Sequence, residues 1–143
     1  MSDYTIKNLK DVEDVAGARV PEIEGRFARK HLDSNELGVS YFRYAPDFRS
    51  SMGHHHREQE EAYIVTAGSG RIKLDDEIVE LRQWDVVRVA PEVVRAFESG
   101  SEAQFRIARW IGYYNAERPH SALAGRTPGE VYATQASEGK LAA

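Results

Sequence analysis

From Leu37 onward, apolar and polar residues alternate in short runs, each cut by a turn signal. Val39-Ser40-Tyr41-Phe42-Arg43-Tyr44 is rich in strand formers and stops before Pro46. Glu61 to Thr66 forms the next run, closed by Gly68-Ser69-Gly70. Arg71-Ile72-Lys73-Leu74 alternates strictly, turns at Asp75-Asp76 and returns as Glu77 to Leu81, which predicts a hairpin. Asp85 to Val89, Val93 to Phe97 and Phe105 to Ile111 complete the series. Short strands spaced about ten residues apart predict an all-β sandwich or barrel. No helical apolar stripe of useful length precedes residue 110.

The two ends read differently. Before Leu32 the chain is polar and weakly patterned. Tyr4, Ile6 and Leu9 predict a short edge strand, Asp11 to Gly17 a turn, and Gly25 to Lys30 a strand exposing alternate basic residues. Near the other end, Thr127 is a good N-cap, with Pro128 at the first helical position and Glu130 at the third. A short helix is expected over Pro128 to Gln135, followed by a frayed end.

Composition narrows the chemistry. The 143 residues make one ordinary domain. Without cysteine there are no disulfides, zinc knuckles, thiol nucleophiles or iron–sulfur clusters. No run approaches the roughly 18 apolar residues of a membrane span, and MSDYTIKNLK has no apolar signal core. A cytoplasmic protein is expected. With 19 basic and 23 acidic side chains and a net charge of −4, a broad nucleic-acid surface is not expected.

The stretch Gly53-His54-His55-His56-Arg57-Glu58-Gln59-Glu60-Glu61 holds the most chemistry. On an extended chain His54 and His56 share a face and His55 points away. Glu61 opens the next run and shares its face with Tyr63. Two imidazoles and a carboxylate suit Fe, Mn, Ni, Cu or Zn. Glu58 and Glu60, interleaved with Arg57 and Gln59, read as a solvated loop face, with Glu60 the spare carboxylate for a general base.

At these residues the chain resembles the cupin superfamily. The first cupin motif is His-x-His, four residues, Glu, six residues, Gly, and here it is His54, His56, Glu61 and Gly68. The second motif places Gly, five residues, then Pro-x-Gly-x-x-His, and here that register runs from Trp84 to Ala90-Pro91-Glu92-Val93-Val94-Arg95. The resemblance covers about residues 37 to 111 and implies a double-stranded β-helix, a jelly-roll barrel, binding metal and substrate inside. It implies His54, His56 and Glu61 as metal ligands. It also divides the chain into N-terminal strands and loops (1–36), the barrel (37–111) and a C-terminal, partly helical extension (112–143).

The departures matter. Arg95 stands where cupins place their last metal-binding His, Trp84 and Glu92 replace glycines, and Phe48 falls where a glycine opens the first motif. An arginine cannot ligate, because it stays protonated and only donates. Two arrangements follow. In one, Arg95 pairs with Glu61, fills the metal position and leaves a metal-free pocket. In the other, it swings aside and binds an anionic substrate next to a three-ligand metal.

The segment from Trp110 to Tyr132 carries a second resemblance. Tyr114-Asn115, Arg118-Pro119-His120, Leu123, Gly125 and Thr127-Pro128 look like the C-terminus of integrase-type transposases of insertion sequences. A gene fusion explains it most simply, with a transposase remnant after the cupin reading frame. The acidic domain that such chemistry needs is missing. Residues 110–143 carry three basic and three acidic side chains, which gives no electrostatic reason for DNA affinity.

The functional expectation is a small cupin binding a divalent metal, a small anionic ligand, or both, as in a metal-dependent dioxygenase or isomerase. Arg95 and Tyr63 are the ligand-binding candidates. The alternative is a metal-free small-molecule-binding barrel with no catalysis. By analogy with cupins that pair barrel edges, a homodimer is expected, with no nucleic-acid or membrane partner.

Overall fold

A computed structural model describes residues 3–35, 37–101 and 104–112. Eight strands lie among them: β1 (Ile23–Phe27), β2 (Leu37–Tyr44), β3 (Glu61–Ala67), β4 (Gly70–Leu74), β5 (Glu77–Leu81), β6 (Val86–Val89), β7 (Arg95–Ser99) and β8 (Phe105–Gly112). One sheet has the order β1-β2-β8-β3-β6 and the other the order β5-β4-β7, and every pairing is antiparallel. The alternating runs of the sequence become strands with one face turned to a shared core. The described helical turns are short, and none is long and apolar enough to cross a membrane.

The core explains the alternation. Tyr44, Tyr63, Val65, Ile72, Leu81, Val89, Phe97, Phe105 and Ile107 are buried in one cluster. Its centre is aromatic: Tyr63 meets Phe97 edge-on at 4.9 Å, and Tyr44 stacks on Phe48 at 5.4 Å. The predicted hairpin forms as β4 and β5, with Asp75 in the left-handed conformation at its turn. Gly68 is needed between β3 and β4. Its φ is +72°, and a Cβ there would meet the Gln104 carbonyl oxygen at 2.4 Å.

The N-terminal segment departs from expectation. Tyr4 and Ile6 are exposed and outside any strand, and Leu9–Asp11 is a 3₁₀ turn capped by Asn8. The outer edge of β1 is met instead by the turn before it, where Val15 N–H donates to the Gly25 carbonyl at 2.9 Å. The strand expected over Gly25 to Lys30 begins earlier, at Ile23, and ends at Phe27, giving way to a 3₁₀ turn at Arg29–Leu32. Asp14 fastens this region by accepting from the backbone N–H groups of Ala16, Gly17 and Gly25. The helix expected over Pro128 to Gln135 lies outside the described residues.

The segment ahead of β3 matters most for the site. It runs antiparallel beside β7, with bridges at Arg49–Glu98 and His54–Arg95. His54 and Arg95 exchange both backbone hydrogen bonds, at 3.1 and 3.0 Å, and His56 N–H donates to the Pro91 carbonyl at 2.8 Å. The histidines are therefore held by the backbone of the segment that carries the second motif.

Candidate functional site

Four elements converge on Glu61. β3 supplies Glu61 and Tyr63, β7 supplies Arg95, β8 supplies Arg109, and the bridged segment supplies His54 and His56. Glu61 and Arg95 are buried, Arg95 to 0% exposure. A buried charge persists only when it is paired and hydrogen-bonded. Arg95 donates to the same carboxylate oxygen, Oε2, from Nε at 2.7 Å and from Nη2 at 2.5 Å. Its Nη1 donates to the Pro91 and Val93 carbonyls at 3.1 and 2.7 Å. Tyr63 donates its hydroxyl to Oε2 as well.

The other oxygen faces a different set. Arg109 Nη1 donates to Oε1 at 3.3 Å, and His56 Nε2 lies 3.0 Å from it. His56 Nε2 is buried and poorly aligned, so it has no hydrogen-bond partner among the described residues. His54 Nε2 stands 3.9 Å from Oε2, with its side chain 51% exposed. The two imidazoles meet edge-on at 5.4 Å, while His55 is exposed. The site thus grades from a buried carboxylate to a histidine at the solvent.

Burial pushes the Glu61 carboxyl up. Hydrogen bonds from Tyr63 and Arg95 and the charges of both arginines outweigh it and hold the group below the usual carboxylate range. Glu61 is ionised at neutral pH. Burial is also the leading cause that lowers His54; the Glu61 charge opposes it, and Arg95, His56 and Arg109 add to it. Tyr63 is pushed up by burial and by its bond to Glu61, so its hydroxyl stays protonated.

His54, His56 and Glu61 come together as the motif spacing implies, with one ligand atom from each lying within 4.8 Å of the others. By donor type this group could hold a divalent ion. By charge the surroundings oppose one. Two guanidiniums, which do not deprotonate, already neutralise Glu61 from both sides. Of the ligand-binding candidates, Arg95 and Tyr63 both direct their polar atoms to Glu61. Glu60 points away from this cluster and pairs with Arg88.

The sequence reading missed Arg109 and Ser40. Arg109 donates from Nη2 to Ser40 Oγ at 3.0 Å, and Ser40 is buried. The signal was present in β8: Phe105, Ile107 and Ile111 form the buried phase, and Arg109 stands in that same phase.

Comparison with known proteins agrees on architecture. A cupin protein from Bacteroides fragilis superposes with a TM-score of 0.68 at 20% identity, over 89% of this chain and 98% of that one. A polyketide cyclase from Streptomyces resistomycificus gives 0.64 at 18%, over 76% and 78% of the two chains. A cupin-superfamily sugar phosphate isomerase from Silicibacter pomeroyi gives 0.63 at 19%, over 76% and 75%. No curated protein matches. The family described as integrase core domain matches residues 81–128. The described part of that span includes β6, β7 and β8, which are built into both sheets, with β8 between β2 and β3. The match to that family thus overlaps strands that belong to the β-barrel. Sheet order, strand register and structural likeness together give the chain the cupin fold.

Proposed function

We propose that this chain is a small-molecule-binding cupin in which the Arg95 guanidinium stands in for a metal ion. One observation carries the reading: Arg95 is fully buried and places two N–H donors on Oε2 of Glu61, from the position where the cupin motif has its last ligand. A guanidinium there supplies the positive charge that a dication would otherwise bring. His54 and His56 are then polar contacts at the entrance rather than ligands, and Tyr63 holds the Glu61 carboxylate in place. Such a barrel binds and orients, and it has no Lewis acid.

A second reading has its own support. His56 Nε2 is buried without a partner among the described residues and lies within reach of both His54 and Glu61. A three-ligand ion at His54, His56 and Glu61, with Arg95 displaced, would satisfy it and would open the metal-dependent isomerase or dioxygenase class.

Elemental analysis separates the two. Full-length, tag-free protein incubated with Fe, Mn, Ni, Cu or Zn and then desalted should retain no stoichiometric metal. Arg95→His should gain near-stoichiometric metal, since it restores a ligand and removes a positive charge. Stoichiometric metal in the wild type that disappears in His54→Ala would establish the second reading instead.

A further inference from the structure

We infer that the ligand of this barrel is a small organic carboxylate with a flat apolar body, and that Arg109 is the residue that binds its anionic end. The inference rests on the metal-free reading above and adds the ligand class.

Charge comes first. Arg95 and Arg109 bring two positive charges to one carboxylate, Glu61. No other acidic side chain among the described residues pairs with either arginine. The two guanidiniums against one carboxylate leave the cluster one uncompensated positive charge, and partly buried charge of that kind calls for an anion. A single carboxylate would bring the group to neutrality. A dication would take it the other way.

Donor capacity then selects the arginine. A guanidinium carries five N–H donors. Arg95 commits four of them, to Glu61, Pro91 and Val93, and has no exposed surface. Among the described residues Arg109 makes one bond to Glu61 and one to Ser40, and its buried Nε has no partner. Its side chain keeps some exposure. Arg109 is the cation with donors left over.

The wall beside it selects the body of the ligand. The strand register places Phe27, Ser40, Arg109 and Tyr63 in one row across β1, β2, β8 and β3. The Arg109 guanidinium lies over the rings of Phe27 and Phe42, at 5.3 and 5.2 Å. Phe27 and Phe42 meet edge-on at 5.6 Å, and Phe27, at the sheet edge, is 41% exposed. An exposed ring at an arginine-bound anion site offers a face for a flat apolar group. Phosphate or sulfate would use the charge and leave that face bare.

The test is calorimetric titration of full-length protein of measured metal content with benzoate, its neutral twin benzamide, and inorganic phosphate. Benzoate is expected to bind saturably, about tenfold or more tighter than benzamide or phosphate, and Arg109→Gln should lose about that factor. If Arg109→Gln does not fold, Phe27→Ala is the second variant. It should weaken benzoate while leaving acetate unchanged. Metal-free protein that binds benzoate no better than benzamide overturns this inference and leaves the metal-free reading standing. Protein that holds stoichiometric metal, and binds benzoate only while the metal is present, overturns both.

Discussion

Two buried carboxylates organise this molecule, and they are surrounded very differently. Glu24, on β1, accepts from Lys10, Arg26 and Arg43, the last at 2.8 Å. Glu61, on β3, accepts from Arg95, Arg109 and Tyr63. Both are ionised and both have several cations. Of the Glu24 cations, Lys10 is 58% exposed while Arg26 and Arg43 are partly buried, and Arg26 also donates to the backbone carbonyl of Lys10. This cluster ties the N-terminal segment to the outer face of the five-stranded sheet. Of the Glu61 cations, Arg95 has no exposed surface and Arg109 little, and a pair of histidines stands at the same carboxylate. A carboxylate with solvent-backed cations is a fastening. One with a fully buried cation and two histidines beside it is the candidate site.

The largest expected effect follows from that burial. Glu61→Ala strands the Arg95 charge in the core and should cost about 3–5 kcal/mol. Glu24→Ala leaves cations that can turn to water and should cost about 1–2 kcal/mol. Urea unfolding of both variants measures the difference. Equal costs would mean that Arg95 finds water or another partner when Glu61 is gone, and the distinction between the two clusters would collapse.

Acid and salt give the next effect. Burial pushes the Glu24 carboxyl up, and hydrogen bonds from Lys10, Arg43 and Arg26 bring it down to about 2. Its folded value lies below the ordinary 4.5, so its contribution is present above that pH and is lost as pH falls toward about 2. Glu24→Gln should flatten the stability profile across this window. Glu61 is lowered too, so the acid profile of the wild type draws on both groups. Added salt separates them, because a Debye length of about 3 Å at 1 M screens exposed cations far more than buried ones. Stability lost to 1 M chloride should therefore be smaller in Glu24→Gln, with the remainder coming from exposed pairs such as Arg88–Glu60. A salt effect that survives unchanged would place it elsewhere on the surface.

The sequence shows the barrel more fully than the site. Strict alternation in Arg71 to Leu81 gives the hairpin, and the run from Phe105 to Ile111 gives β8, because a strand with one face in the core writes its period into the chain. The spacing of His54, His56 and Glu61 gives a grouping that the geometry reproduces. The balance of charge was harder to read. Whether Arg95 pairs with Glu61 or swings aside depends on burial, which a single residue's identity does not encode. Arg109 was legible only as an arginine in an apolar phase. Glu24 and its three cations come from positions 10, 24, 26 and 43, with no local pattern to join them.

The smallest expected effect concerns a second departure from the motif, Trp84, and it asks whether every departure reshapes the site. Trp84 stands where the second motif has a glycine, and its φ is +74°. Its ring is 69% exposed, so it anchors nothing in the core. Its N–H donates to the Val65 carbonyl at 2.8 Å, a bond that glycine there would keep. A left-handed conformation costs a non-glycine residue about 1–2 kcal/mol, and glycine returns about 0.5–1 kcal/mol of that through the freedom it loses on folding. Trp84→Gly should therefore stabilise the fold by up to about 1 kcal/mol, with benzoate affinity and metal content unchanged. A loss of stability would show that the exposed indole packs against something the described residues do not include. A change in ligand affinity would tie this turn to the Glu61 cluster, and the line between fastening and site would have to be redrawn to include it.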